Sequence, residues 1–178
     1  MSLTNLLPSK KKYRKEILAG LYSQQKKLSS KFLYDNKGSE LFEKICKLNE
    51  YYLTRAETEI LSVNAYEMSK WMGGHVVLIE PGCGACEKAR YLLREMKYTQ
   101  AYIPMDISTA HFVEHVKSLK QEFPNLRIYP IVSDYTSKLS LTKSVDMIPG
   151  KRVVFFPGST IGNLTPDEAQ ALLHRMSE

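Results

Sequence analysis

The strongest constraint on this chain is a change of pattern at residue 75, where helical spacing gives way to short apolar runs separated by turns. His75-Val-Val-Leu-Ile-Glu80 is rich in β-branched residues, consecutive rather than alternating in its hydrophobicity, and broken by Pro81-Gly82-Cys83-Gly84. Such a run suits a strand covered on both faces. Ala101–Met105, Leu126–Val132 and Arg152–Phe156 predict three further strands, with helical patterns between them reaching Leu92 and Met96 and covering His111–Glu122. Strands that alternate with helices imply a parallel sheet with right-handed crossovers, the doubly wound α/β class. A last helix opens at Thr165-Pro166-Asp167-Glu168, which combines an N-cap, a first-turn proline and a capping-box glutamate. Residues 75–178 are therefore expected to be the first part of an α/β domain.

Residues 1–74 follow a different rule and are expected to be a helical segment. Tyr13, Ile17, Leu18, Leu21 and Tyr22 recur at helical spacing within residues 10–28, with lysines on the other face. After Ser29-Ser30, Phe32-Leu33-Tyr34 and Gly38-Ser39, a second helix is marked by Leu41, Phe42, Ile45 and Leu48. Thr54 and Glu57 have capping-box spacing and predict the start of a third, which runs to Trp71 and Met72 before Gly73-Gly74. Met1-Ser2-Leu3 is assigned no structural role.

Charge and cysteine usage narrow the class further. The net charge of +6 is concentrated in residues 1–37, where nine Lys and Arg face only Glu16 and Asp35, leaving 16 basic against 17 acidic residues elsewhere. A basic helix of this kind is expected to be a solvated face, and with no aromatic platform or reading motif no specific nucleic-acid partner is expected. No run of eighteen apolar residues and no apolar leader is present, so a cytoplasmic chain without a membrane partner is expected. Three cysteines do not make a disulfide framework, and thiols are the expected state.

In an open parallel sheet, ligands bind beyond the carboxyl ends of the strands. Those ends are chemically coherent here. The first strand closes on Glu80, then Gly82 and Gly84, whose small size lets backbone approach a ligand. The second closes on Asp106, 26 residues after Glu80, near the position at which such folds place an acid for ribose hydroxyls. Ser133-Asp134-Tyr135 follows the third, an acid and a ring suited to the amino group and flat face of adenine. The fourth opens into Pro157-Gly158-Ser159-Thr160-Ile161-Gly162-Asn163, a polar loop. A dinucleotide would want a third glycine at position 87, where Glu87 would meet the pyrophosphate. S-adenosylmethionine has a ribose, an adenine and a zwitterionic tail but no phosphate, and it fits the set better.

Several segments resemble the histidine-specific S-adenosylmethionine-dependent methyltransferases, the family of the ergothioneine-pathway histidine Nα-methyltransferases and of fungal enzymes acting on a tryptophan-derived amine. They are Phe32-Leu-Tyr-Asp-Asn-Lys-Gly-Ser-Glu-Leu-Phe-Glu43, Glu50-Tyr-Tyr-Leu-Thr-Arg-Ala-Glu57, Glu80-Pro-Gly-Cys-Gly84 and Gly158-Ser-Thr-Ile-Gly-Asn-Leu164. The resemblance runs from about Ile17 to the end and implies a Rossmann-like methyltransferase fold that adds a methyl group to the α-amino group of histidine or a related amino acid. It implies cofactor contacts at Gly82, Lys88, Asp106, Asp134 and Tyr135. Tyr51 and Asn163 would then hold the amino acid, with Tyr34 and Gly158 near its α-amino group. No side chain is implied to do more than position the reactants. Pro81, Cys86, Tyr135 and Pro157 depart from the family pattern without removing a cofactor side chain. The family continues past the point matching Glu178, so an incomplete domain is expected, with the strand at Arg152–Phe156 left as a self-associating apolar edge.

The rival reading is a thioredoxin-like thiol-disulfide oxidoreductase built on Cys83-Gly-Ala-Cys86, which lies between a strand and a helix start. It lacks the aromatic residue expected before the first cysteine. Two cysteines are half a zinc site, and His75, His111, His115 and His174 are taken to lack ligand or triad spacing, so no metal is expected. Without the resemblance, Tyr34 and Tyr51 would be read as packing residues.

Overall fold

A computed structural model describes residues 3–136 and 141–177. The N-terminal part contains β1 (Thr4–Asn5), α1 (Lys10–Tyr22), a 3-10 turn (Ser30–Leu33), α2 (Asn36–Ile45) and α3 (Leu53–Met72). The α/β part follows with β2 (Val76–Pro81), α4 (Glu87–Glu95), β3 (Ala101–Asp106), α5 (Thr109–Glu122), β4 (Ile131–Val132) and α6 (Lys143–Asp146). It ends with β5 (Lys151–Val154), a second 3-10 turn (Thr160–Asn163) and α7 (Pro166–Ser177).

The sheet is parallel throughout, in the order β1-β4-β3-β2-β5. Its last four strands have the order expected of a Rossmann-like fold. β2 is central, and every residue from Val76 to Pro81 is buried. Alternation along it separates two cores. Val76 and Leu78 pack with Leu61 and Ala65 of α3, Leu92 of α4 and Phe112 of α5. Val77 and Ile79 join Ile103 of β3 with Val145 and Ile148 around α6.

The boundaries show where local pattern was overridden. β1 was not foreseen: Leu6 donates its N–H to Val132 O at 2.7 Å, and Leu3 packs against the core, so Thr4–Asn5 is an edge strand of the sheet and Leu3 has a structural role; Met1 and Ser2 lie outside the described residues. The strand expected over 126–132 pairs regularly only at Ile131–Val132, with an isolated bridge at Ile128. Pro130 interrupts it, having no N–H for the ladder. α1 stops at Tyr22 rather than running to 28, because Lys27 folds back and donates to Gly20 O at 3.1 Å. A Cβ on Gly20 would lie 2.0 Å from Lys27 O, so only glycine admits this return. The capping box expected at Thr54 and Glu57 is not formed: α3 begins at Leu53, and Tyr52 provides no side-chain cap. The box at Thr165 and Glu168 is formed, with Thr165 N donating to Glu168 Oε2 at 2.8 Å.

β5 lies at a sheet edge, as expected. Lys151 and Arg152 are exposed, Val153 and Val154 half-buried, and Phe155 buried. A shallow groove of about 520 Å³ runs beside it, lined by Met68, Trp71 and Met72 of α3 and by Lys151, Arg152 and Val153. Trp71 is 84% exposed there. Among the described residues, no helix is long and apolar enough to cross a membrane.

Candidate active site

The carboxyl ends of β2, β3 and β4 are knitted into one rim. Gly82 and Cys83 both donate backbone N–H groups to Met105 O, at 2.8 and 3.1 Å, and Ser133 N donates to Asp106 O at 2.9 Å. Asp106 Oδ2 accepts from Gly84 N and Oδ1 from Ser108 N, both at 2.9 Å. Burial raises the Asp106 pKa, while the bonds from Ser108, Gly84 and Ile107 oppose the rise. The two carboxylate oxygens carry four lone pairs between them, so with three backbone donors one remains for an incoming ribose hydroxyl.

Gly82 has φ +70°, a left-handed conformation that favours glycine, and a Cβ there would lie 3.2 Å from the Tyr135 ring. The ring of Tyr135 thus closes over the glycine turn, with Phe156 edge-on at 5.8 Å. Burial, then the nearby Asp106, Tyr34 and Asp134, push its phenol well above the usual range, so it is neutral.

The N-terminal segment supplies the facing wall. Tyr34, Phe42 and Tyr51 form a row of edge-on rings, with centroids 5.7 and 6.0 Å apart. Burial, followed by Tyr51, Cys46 and Asp106, raises the Tyr34 phenol, and at the start of α2 Asn36 Oδ1 lies 3.4 Å from Ser108 Oγ, just beyond the β3 end. The row is secured from below by Asp35, whose carboxylate caps α2 by accepting from Gly38 N at 2.7 Å.

Glu57 is the residue that sequence reasoning assigned elsewhere. Its Oε1 accepts from Gly158 N at 2.6 Å, and its Oε2 pairs with Lys88. One carboxylate on α3 therefore joins α4 to the loop after β5, and brings Lys88 and Gly158 together. A Cβ on Gly158, whose φ is +92°, would lie 3.1 Å from Lys88 Nζ. The signal was present in the sequence, since Glu57 lies within the segment Glu50–Glu57, but a capping role accounted for it there.

Three proposed contacts are placed differently from the rest. Glu80 is 1% exposed and accepts from Tyr102 OH beneath the rim, and burial lifts its pKa to about 8 against the pull of Tyr102 and Lys88. Asp134 is 4% exposed; Lys31 Nζ donates to its Oδ2 at 2.8 Å, and Thr136 N to its Oδ1 at 3.0 Å. Tyr135 is thus the more open member of that pair. Asn163 is exposed, on the 3-10 turn five residues after Gly158.

Cys83 and Cys86 are both buried, with their sulfurs 3.4 Å apart as free thiols. Burial, then the hydrogen bond and charge of Cys86, pushes the Cys83 thiol up. A redox cysteine needs a lowered thiol pKa and access; Cys83 has neither, and Cys86 is buried as well.

Comparison with known proteins agrees with this geometry. The model of the histidine-specific methyltransferase family, described as SAM-dependent, matches residues 13–178. The chain is 34% identical to a histidine N-alpha-methyltransferase of Mycolicibacterium smegmatis over 93% of its own length and 51% of that protein. It is 35% identical to the protein of that name from Mycobacterium tuberculosis, over 86% of the chain and 47% of that protein. A more distant relative is the ergothioneine biosynthesis protein 1 of Neurospora crassa, 27% identical over 83% of the chain and 17% of that protein. The chain spans about half the length of the two bacterial relatives. With a parallel Rossmann-like sheet, a glycine turn closed by Tyr135 and a match over residues 13–178, the chain belongs to the histidine-specific, S-adenosylmethionine-dependent methyltransferase family.

Proposed function

We propose that this chain binds S-adenosylmethionine at the rim and takes part in methyl transfer to the α-amino group of histidine or a close analogue. The observation that carries the reading is the Asp106 carboxylate, held by Gly84 N and Ser108 N beside the Gly82–Tyr135 contact, with the Tyr34–Phe42–Tyr51 row opposite. The residues fit the cofactor. Asp106 can take a ribose hydroxyl, and the Tyr135 ring can lie against adenine. Gly82, Gly84 and Lys88 can face the methionine end. The buried hydroxyl of Ser133, which has no partner among the described residues, leaves one further polar group at that end of the sheet. Glu80 would act from beneath, through the turn it underlies, and Asp134 by fixing Tyr135.

S-adenosylmethionine supplies an electrophilic methyl group when bound. What remains for the protein is to orient a neutral amine and exclude water, because the leaving thioether needs no proton. Tyr34, Tyr51, Gly158 and Asn163 are the residues proposed to hold the amino acid. Glu57 fixes the Gly158 backbone that would face the amino group. A second half of the kind the bacterial relatives possess would complete the side-chain pocket, so residues 1–178 should hold cofactor better than histidine. Calorimetric titration with S-adenosylmethionine, NAD and histidine tests this. Binding of NAD in preference to S-adenosylmethionine would overturn the cofactor reading, and equal or tighter binding of histidine would overturn the incomplete pocket.

A further inference from the structure

Away from the rim, α2 and α5 bring three ligating side chains to one point. His111 and His115 are one turn apart on α5, and Glu43 faces them from α2. The i, i+4 spacing places both imidazoles on one helix face. The sequence analysis took these histidines to lack ligand spacing, which the geometry corrects. His111 Nε2 lies 2.7 Å from Glu43 Oε1, His115 Nε2 lies 3.2 Å from His111 Nε2, and His115 Nε2 lies 3.4 Å from Glu43 Oε1.

We infer that Glu43, His111 and His115 form a zinc site that clamps α2 to α5. Ligands at about 2.0–2.1 Å from a tetrahedral zinc ion are separated from one another by about 3.3 Å. Two edges of the observed triangle already match, and the third, at 2.7 Å a hydrogen bond in the metal-free arrangement, needs to open by about 0.6 Å. A neutral imidazole Nε2 carries either a proton or a lone pair, so without a metal the three contacts cannot all be hydrogen bonds: if both rings donate to Glu43 Oε1, their two N–H groups face each other at 3.2 Å. Two imidazoles and a carboxylate suit zinc rather than magnesium or calcium, which prefer oxygen ligands. The side chains of the three residues are 24%, 24% and 40% exposed, leaving an entry path and room for a water as fourth ligand.

The location gives the ion a purpose beyond local stability. α2 carries Phe42, the middle ring of the tyrosine row, and α5 starts just after the Asp106–Ser108 turn. A second link between these parts is weak: Ser108 Oγ and Asn36 Oδ1 are 3.4 Å apart. The ion would therefore set the spacing between the aromatic wall and the ribose loop, which makes it a positioning site. Its existence does not depend on the methyl-transfer reading.

The test uses the untagged chain after treatment with a chelator. Competition with a chromophoric zinc indicator should give one equivalent bound at micromolar affinity or tighter, and zinc should raise the melting temperature. H115A and E43Q should each weaken binding by about tenfold or more, and H111A with H115A should abolish the thermal shift. Cobalt substitution should give a tetrahedral visible spectrum without an intense thiolate charge-transfer band, which separates this site from Cys83 and Cys86. Imidazole nitrogen shifts of both histidines on zinc addition, read by NMR in the unsubstituted chain, need no variant to fold. Slower hydrogen exchange across Asn36–Ile45 with zinc would support the clamp, and unchanged exchange with zinc bound would remove it. Absence of saturation at millimolar zinc, undiminished affinity in the double variant, or a thiolate band would overturn the site.

Discussion

Asp106 has two duties that fall on one carboxylate. It fixes the glycine turn through Gly84 N and Ser108 N, and it is proposed to hold the ribose. D106A should weaken S-adenosylmethionine binding by about 1.5–3 kcal/mol, the range for a lost charge-assisted hydrogen bond. Calorimetry on protein shown by its melting curve to be folded reads this loss, and unchanged affinity would remove the ribose assignment. Glu80 makes a different prediction. Its pKa rises from the ordinary 4.5 to about 8 through burial, so between these values the folded chain holds a proton that the unfolded chain has released. Stability therefore falls as pH rises through that window. Glu80→Gln should flatten that part of the stability profile relative to the unsubstituted chain, as measured by denaturant titration at several pH values. Parallel profiles would show that Glu80 ionises freely.

At the scale of elements, the short turn Ser30–Leu33 carries more than its length suggests. Lys31 reaches Glu16 of α1 and Asp134 beyond β4, at 2.7 and 2.8 Å. Its side chain is 9% exposed, and burial, which would lower its pKa, is outweighed by the bonds to Asp134 and Glu16. Lys31→Met should destabilise the fold by about 3–5 kcal/mol, because it breaks a buried ion pair by removing one of its members. Loss of less than about 1 kcal/mol on denaturation would mean that the other partners of Asp134, Thr136 among them, suffice. Lys31 also shows why part of the site was illegible. In sequence it is one of nine basic residues before position 38, and nothing local distinguishes it from the solvated lysines of α1. β2, β3 and the helices other than α6 were legible because consecutive or helically spaced apolar residues record burial directly; the single turn Lys143–Asp146 was not foreseen. Glu57 and the two-residue β1 were not, since their partners are at Gly158 and Val132, more than a hundred residues away. Gly82, Asp106 and Tyr135 were accessible to reasoning because strand ends in this fold have a fixed relation to the ligand crevice.

The whole molecule is uneven across its sheet. On one face α3, α4 and α5 cover the core, while the groove beside β5 leaves Trp71 at 84% exposure and Val63, further along α3, at 74%. Apolar surface of this kind forgoes roughly 25 cal/mol for each square ångström left in water. Residues 1–178 should therefore associate with rising concentration, as read by sedimentation velocity, and Trp71→Glu should suppress the effect. A monomer throughout the micromolar range would show that Lys151 and Arg152 blunt the edge sufficiently. The opposite border of the sheet decides how far such assembly can proceed. β1 offers two residues, Thr4 and Asn5, with Leu6 N already donated to Val132, so that border is too short to template another chain. With a single adhesive border, two copies meet about a two-fold axis and exhaust it; head-to-tail growth needs two borders. Such a pairing would close on itself, with neither filaments nor rings expected from it.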